Sequence, residues 1–373
     1  MNRALLPLSW LYGAGTFIRN KAFDLGILTT SRASVPVISV GNMTAGGTGK
    51  TPFVEYLVRM LLQRGRAVAV VSRGYGRTSR GVVVVSDGNG ILADARGGGD
   101  EPLQMAKKFP AIRVVVGEQR LEAARKAAGD LGADVIVLDD AYQHRYLHRD
   151  LNILVLEASK DIRREPMLPA GMRREQLAGV SRADCVAWSG VLPGSSLALL
   201  SAEVASWYRG PAIAYRFITE AVHRAGDDSL VPHQLHGSRL LAFSGIGNHG
   251  RFVEGLRGEG WSVVADIEFP DHHWYGGGDL RRMLREFRDS HADFLMTTEK
   301  DAVRLNADAE IRGNLLQAYP VLYARIAVEV IEGEKTLESL VDACLAGGGK
   351  MTQKLLQVKT EFQSRHITKE GSS

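Results

Sequence analysis

The residues Gly41-Asn42-Met43-Thr44-Ala45-Gly46-Gly47-Thr48-Gly49-Lys50-Thr51-Pro52 carry the strongest chemical signal in this sequence. They follow an apolar run and open a helical one. Small residues let successive backbone N–H groups point at phosphate oxygens. Lys50 would reach the β/γ-phosphates, and the Thr51 hydroxyl offers an oxygen to Mg²⁺. The positive end of the helix dipole adds to the attraction. In the strict pattern G-x-x-x-x-G-K-[ST] the first glycine falls at Thr44, so only the second half of the pattern is met. In the related Lys-Gly-Gly-x-Gly-Lys-Thr pattern the first lysine falls at Ala45, which leaves the dimeric mechanism built on that lysine without support.

A second constellation is Val135-Ile136-Val137-Leu138-Asp139-Asp140-Ala141-Tyr142-Gln143-His144. An apolar strand delivers carboxylates at its C-terminal end, where α/β sheets bind ligands. One of the two aspartates would hold Mg²⁺ across from Thr51; equally, the pair could only cap a strand end. Gly97-Gly98-Gly99-Asp100-Glu101-Pro102 places two acids after a glycine run, and Ser72-Arg73-Gly74-Tyr75-Gly76-Arg77 could meet a phosphorylated substrate. In Pro270-Asp271-His272-His273-Trp274-Tyr275 a zinc site lacks a third ligand at suitable spacing. A histidine–carboxylate couple for proton transfer is the better functional reading. Thr298 can cap a helix whose first turn carries Glu299 and Asp301, which the macrodipole favours without any functional role.

These groups need a scaffold. Strand-like runs occur at 35–40, 67–72, 81–86, 113–117, 134–138, 151–157 and 184–188, with helical patterns at 51–64 and 118–131. A second series has strands at 212–217, 239–244, 261–269, 292–297 and 320–328 and helices at 249–258 and 278–290. Nearly unbroken Val/Ile/Leu runs fit a parallel sheet buried on both faces. The alternation predicts a P-loop NTPase-type doubly wound α/β domain over 31–210. A smaller α/β domain is expected over 211–346 and a loose tail over 347–373.

The first thirty residues form a separate question. Residues 4–18 are largely apolar and flanked by Arg3, Arg19 and Lys21. They are shorter than the ~20 residues a spanning helix needs, and no clear small-residue cleavage site follows. An interfacial helix and a packed core helix both fit. The chain of 373 residues has a net charge of +4, too weak a bias to indicate a nucleic-acid partner. Two cysteines exclude a disulfide framework and fit a reducing compartment.

With these motifs in this order, the chain resembles the tetraacyldisaccharide 4′-kinase family over about residues 5–330. The resemblance also rests on Leu168-Pro169-Ala170-Gly171 with Arg174-Glu175, and on Phe243-Ser244-Gly245-Ile246-Gly247-Asn248. It implies transfer of the γ-phosphoryl group of ATP, with Mg²⁺, to the 4′-hydroxyl of an acylated glucosamine disaccharide 1-phosphate. It further implies an N-terminal helix seated in the cytoplasmic face of the inner membrane; separately, a monomer with no nucleic-acid partner is expected. By position, residues 44–51 and Arg174 hold nucleotide. Thr51, Asp139, Asp140 and Glu175 surround the metal. Asp100 is the base with His272 as its partner, and Lys50 is the third catalytic group. Asn42, Arg73, Tyr75, Gln143 and His144 meet the lipid. Two departures stand out: Ala141 where the family usually has glycine, and Met172-Arg173 where it has Pro-Leu. Arg173 is expected to compete with Arg174 for the phosphates. The alternative readings are a membrane-associated ATPase or GTPase switch and a small-metabolite kinase.

Overall fold

The computed structural model describes residues 3–192, 194–231, 235 and 237–346; the expected tail over 347–373 lies outside them. Among the described residues there are twelve strands: β1 (Val37–Asn42), β2 (Val68–Ser72), β3 (Val83–Asp87), β4 (Arg113–Val116), β5 (Val135–Asp139), β6 (Leu151–Glu157), β7 (Cys185–Ser189), β8 (Ala212–Arg224), β9 (Arg239–Ser244), β10 (Ser262–Glu268), β11 (Phe294–Thr298) and β12 (Val321–Glu332). Each lies within a few residues of an apolar run in the sequence. β8 and β12 extend well past theirs, into polar residues that periodicity does not mark.

The chain divides into two compact units, but not at residue 210. Of the described residues, the first contains those of 3–73, 112–217 and 328–346; the second contains those of 74–111 and 218–327. The expected boundary is therefore corrected. Hydrogen bonds explain why 74–111 joins the second unit. Gln104 and Lys108 of the helix Asp100–Lys108 both donate to Glu299, each at 3.3 Å. The return of the chain to the first unit is fixed by the helix Glu334–Leu345. Glu334 accepts from the Tyr56 hydroxyl at 2.8 Å, and Asp342 accepts from Arg64 at 2.8 Å.

In the first unit, β8-β7-β6-β1-β5-β2-β4 run parallel. Every residue of β1, β2, β5, β6 and β7 is buried. That is the pattern of parallel strands covered on both faces. The register pairs Val40 with Asp139, so the C-terminal ends of β1 and β5 lie side by side. Ligands of open α/β sheets bind at such ends. The second unit has its own parallel set, β10-β9-β11-β12. Phe243, Phe269, Tyr275 and Met283 centre its core. Both cysteines are buried free thiols.

The first helix, Leu6–Asp24, leaves a broad apolar surface in solvent. Trp10 is 74% exposed, Leu11 71% and Ile18 67%. Its other side is tied to the first unit: Ser9 Oγ donates to Met167 O at 2.9 Å, and the Tyr12 hydroxyl to Arg174 O at 3.0 Å. Arg19 points inward too, donating to Gln143 O at 2.8 Å and lying over the rings of Phe23 and Tyr146. No helix among the described residues is long and apolar enough to cross a membrane.

Candidate functional site

The glycine-rich loop leaves β1 and enters the helix Lys50–Gln63 at its first residue. Gly49, at the helix N-cap, has φ 75°, and a side chain there would strike the Phe217 ring. A Cβ at Gly41 would lie 2.5 Å from the Tyr142 backbone nitrogen. These two positions need glycine; the missing first glycine of the strict pattern does not disturb them. Residues 172–174 then pair with the start of the loop. Ala45 N donates to Met172 O and Arg174 N to Met43 O, both at 2.7 Å. Thr44 is bridged to Arg173. Arg174 is thus fixed beside the loop by backbone pairing that sequence spacing cannot show.

Lys50 Nζ lies 3.5 Å from Asp140 Oδ1, and Arg174 donates to both Asp140 oxygens at 2.9 Å. Burial would push the Asp140 carboxyl up, but the charges of Lys50 and then Arg174 outweigh it and hold the group below its ordinary range. Two cations converging on one carboxylate beside a phosphate-type loop are the charge pattern that a polyphosphate would share. Asp140 has φ 47°. The left-handed residue of this turn is Asp140 and not Ala141, so the departure at Ala141 carries no backbone penalty. Arg173 does not join Arg174 at Asp140. Burial lowers its guanidinium pKa, and its Nε and Nη1 are buried without a hydrogen-bond partner.

Glu175, expected near the metal, is held by donors from three separate segments. It is 1% exposed, and both oxygens are engaged. Oε1 accepts from Gln143 at 2.9 Å; Oε2 accepts from Asn20 at 3.1 Å and Arg182 at 2.6 Å. These three donors fix the Glu175 carboxylate beside Gln143, which in turn holds the carbonyl of Asn42. Among the described residues no group of three or more acids, histidines or cysteines could hold a metal alone. Mg²⁺ does not need one, because one or two carboxylates with substrate phosphates and water suffice. The Thr51 hydroxyl and the Asp139–Asp140 end of β5 supply hard oxygens of that kind.

Asn42, expected at the lipid, is fully buried. Its Nδ2 donates to Thr48 Oγ1 at 2.9 Å, and its carbonyl accepts from Gln143 Nε2 at 2.8 Å. In this structure it supports the loop and has no surface for a lipid. Gln143 links Asn42 to Glu175. His144 stands among arginines: burial first, then Arg120, Arg149, Arg19 and Arg73, push its pKa down to about 4. It is neutral at pH 7 in a strongly cationic neighbourhood.

The second unit brings Asp100 and His272 together across 172 residues, with His272 Nδ1 at 3.1 Å from Asp100 Oδ2. Asp100 opens the helix Asp100–Lys108, and its Oδ1 accepts from Glu101 N at 2.9 Å. His272 has φ 59°, an uncommon conformation of the kind stored at functional sites. Arg304 Nε donates to Asp100 Oδ2 at 2.7 Å, and its Nη1 donates to Asp301 at 2.9 Å and to Gly245 O at 2.9 Å. Burial would raise the Asp100 pKa, but the His272 hydrogen bond and the Lys300 and Arg304 charges hold it well below the usual carboxylate range. Tyr75, 68% exposed, lies with its ring 4.8 Å from the His272 ring. His273 turns away to Asp279, at 2.9 Å, which distinguishes the two histidines.

Sequence reasoning missed four contributors. Thr298 caps its helix as expected, accepting from Asp301 N at 3.2 Å, but the same helix also delivers Lys300 and Arg304 to the His272–Asp100 couple. Arg120 and Asn20 sit in stretches without a motif. Only the phosphate loop itself could have suggested partners for Asn42.

A family model described as Tetraacyldisaccharide-1-P 4′-kinase matches residues 1–346. A tetraacyldisaccharide 4′-kinase of Anaeromyxobacter sp. (strain Fw109-5) is 40% identical over 355 residues, covering 94% of this chain and 93% of that one. One from Geobacter sulfurreducens is 41% identical over 299 residues, covering 80% and 82%. The crystal structure of LpxK from Aquifex aeolicus in complex with ATP superposes with a TM-score of 0.74 at 32% identity, covering 92% of this chain and 98% of that one.

Proposed function

Because this chain belongs to the tetraacyldisaccharide-1-P 4′-kinase family, and is an ATP-dependent kinase of a lipid A disaccharide precursor, we propose how its own residues carry the transfer. The observation that carries the proposal is the convergence of Lys50 and Arg174 on Asp140 beside the glycine loop. When ATP binds, the backbone N–H groups of residues 44–49 cradle its phosphates. Lys50 and Arg174 then turn from Asp140 to the β- and γ-phosphoryl oxygens. Thr51 and Asp139 or Asp140 would hold Mg²⁺, which would supply charge neutralisation to those oxygens.

The bond formed joins the substrate O4′ to Pγ; the bond broken is that from Pγ to the bridging oxygen, whose electron pair leaves with ADP. The transition state is loose, so positioning and charge neutralisation dominate. Asp100 orients the 4′-hydroxyl as a hydrogen-bond acceptor. A carboxylate held so acidic is a weak base, so the proton passes late to the Asp100–His272 couple and on to water. The arginines around His144 (Arg73, Arg120, Arg149 and Arg19) suit the dianionic 1-phosphate of the acceptor. Gln143 reaches the lipid only indirectly, by fixing Glu175 and the loop.

We place the apolar side of the first helix in the cytoplasmic surface of the inner membrane, where Trp10, Leu11 and Ile18 meet the headgroup–acyl boundary. The protein acts there as a peripheral monomer. The test is transfer from γ-labelled ATP to an acylated disaccharide 1-phosphate. Label in the lipid supports the reading; inorganic phosphate alone supports the nucleotide-switch alternative.

A further inference from the structure

Lys300 touches the imidazole nitrogen that Asp100 does not. Its Nζ lies 3.2 Å from His272 Nε2, 2.7 Å from Glu101 Oε1 and 3.9 Å from Asp271 Oδ1. The side chain is 16% exposed. Burial would discharge this ammonium, but the carboxylates of Glu101 and Asp100 outweigh burial and raise its pKa above the ordinary lysine value. An ammonium has three donors and no acceptor. A contact with it therefore requires His272 Nε2 to present its lone pair. The proton of the neutral ring then sits on Nδ1, pointing at Asp100 Oδ2. One cation thus fixes both the tautomer and the charge state of the histidine.

We propose that Lys300 is a positioning residue of the phosphoryl transfer, holding His272 neutral in the Nδ1–H tautomer so that Asp100 remains an oriented anion; the proposal rests on the assignment of Asp100 and His272 to the acceptor side of the reaction. Among the described residues, the charged groups facing His272 are few and all take part. Asp100 and Glu101 face it from the helix Asp100–Lys108, and Asp271 from its own loop. Lys300 comes from the helix Glu299–Ala307, and Arg304 from the same helix through Asp100. The Tyr75 ring covers the remaining side. With Lys300 in place, a second positive charge on the ring is opposed at contact distance. Without it, the carboxylates of Glu101 and Asp271 face an open Nε2, and their charges favour a second proton on the ring. An imidazolium beside Asp100 weakens the carboxylate further as an acceptor for the hydroxyl proton.

The experiment compares wild type, Lys300→Met and Lys300→Arg in the full-length protein. Imidazole ¹⁵N shifts of His272, assigned by loss in His272→Gln, report the tautomer without any turnover. Wild type should show a protonated Nδ1 and an unprotonated Nε2. In Lys300→Met the acid limb of the kcat/KM profile should move up by about one pH unit, a roughly tenfold loss at the pH of the shifted midpoint. Lys300→Arg should restore both readouts, since a guanidinium also donates without accepting. A uniform loss in Lys300→Met with unchanged ¹⁵N shifts and unchanged pH profile would overturn the proposal, leaving Lys300 structural. If wild type transfers no phosphate to lipid, the kinase assignment of these residues fails instead, and the ¹⁵N shifts still decide the tautomer.

Discussion

Glu175 Oε2 accepts a hydrogen bond from Asn20 Nδ2 at 3.1 Å, which ties a buried carboxylate of the nucleotide side to the N-terminal helix. The chain continues through Gln143 to the carbonyl of Asn42, and from the Asn42 amide to Thr48 in the phosphate loop. Each link is a single hydrogen bond, and one such bond contributes on the order of 0.5–1.5 kcal/mol. Asn20→Ala is therefore expected to raise KM for ATP by roughly two- to tenfold with a smaller change in kcat. Steady-state kinetics at saturating lipid check this. An unchanged KM for ATP would disconnect the helix from the loop.

The balance between charge and base is a second point. If neutralisation of the phosphoryl oxygens outweighs proton removal, Lys50→Ala lowers kcat more than Asp100→Ala does. Comparison of the two variants at saturating substrates gives the order. The reverse order would place proton transfer at the centre of the barrier.

Arg304 is the structural counterpart of these residues. Its side chain has no exposed surface and bonds Asp100, Asp301 and Gly245. Removing one partner of a buried ion pair costs about 3–5 kcal/mol, so Arg304→Met should lower the urea midpoint strongly. The pH dependence has a definite sign. Asp100 is held below its unfolded value, so the unfolded chain binds more protons through the acid range. The stability this supplies is complete above the ordinary carboxylate pKa of about 4 and drains as pH falls toward the lower folded value. Asp100→Asn should flatten that part of the stability–pH curve, as read by denaturant titrations between pH 5 and the acid limit. A curve that keeps its slope would contradict the assignment.

The first helix supplies a fourth test. Trp10 and Leu11 are exposed, and their side chains point away from the anchors Ser9 and Tyr12. The double variant Trp10→Ser/Leu11→Ser should fail to float with anionic vesicles while keeping the thermal midpoint of the parent. Retained flotation would remove the helix from the membrane.

Much of this was legible in the sequence, for reasons that differ by element. The strands announced themselves because parallel strands buried on both faces must be apolar throughout, and β6 and β9 begin and end where their runs do. The phosphate loop was legible because backbone approach to an anion restricts residue size. What stayed hidden depends on pairing between distant segments. The excursion 74–111 reads as part of the first domain, and only the bonds from Gln104, Lys108 and Asp100 to Glu299 and Arg304 show where it packs. The metal role of Glu175 came only from the resemblance, and its three donors, from positions 20, 143 and 182, are not legible in spacing. The helix at 299–307 was explained by its cap, and that sufficient explanation concealed Lys300 and Arg304.

The most direct measurement uses the purified full-length chain, γ-labelled ATP, Mg²⁺ and an acylated glucosamine disaccharide 1-phosphate in mixed micelles. The account predicts label in the lipid fraction, at the 4′-oxygen, lost on Lys50→Ala and strongly reduced on Asp100→Ala. Release of labelled inorganic phosphate with no labelled lipid would contradict it.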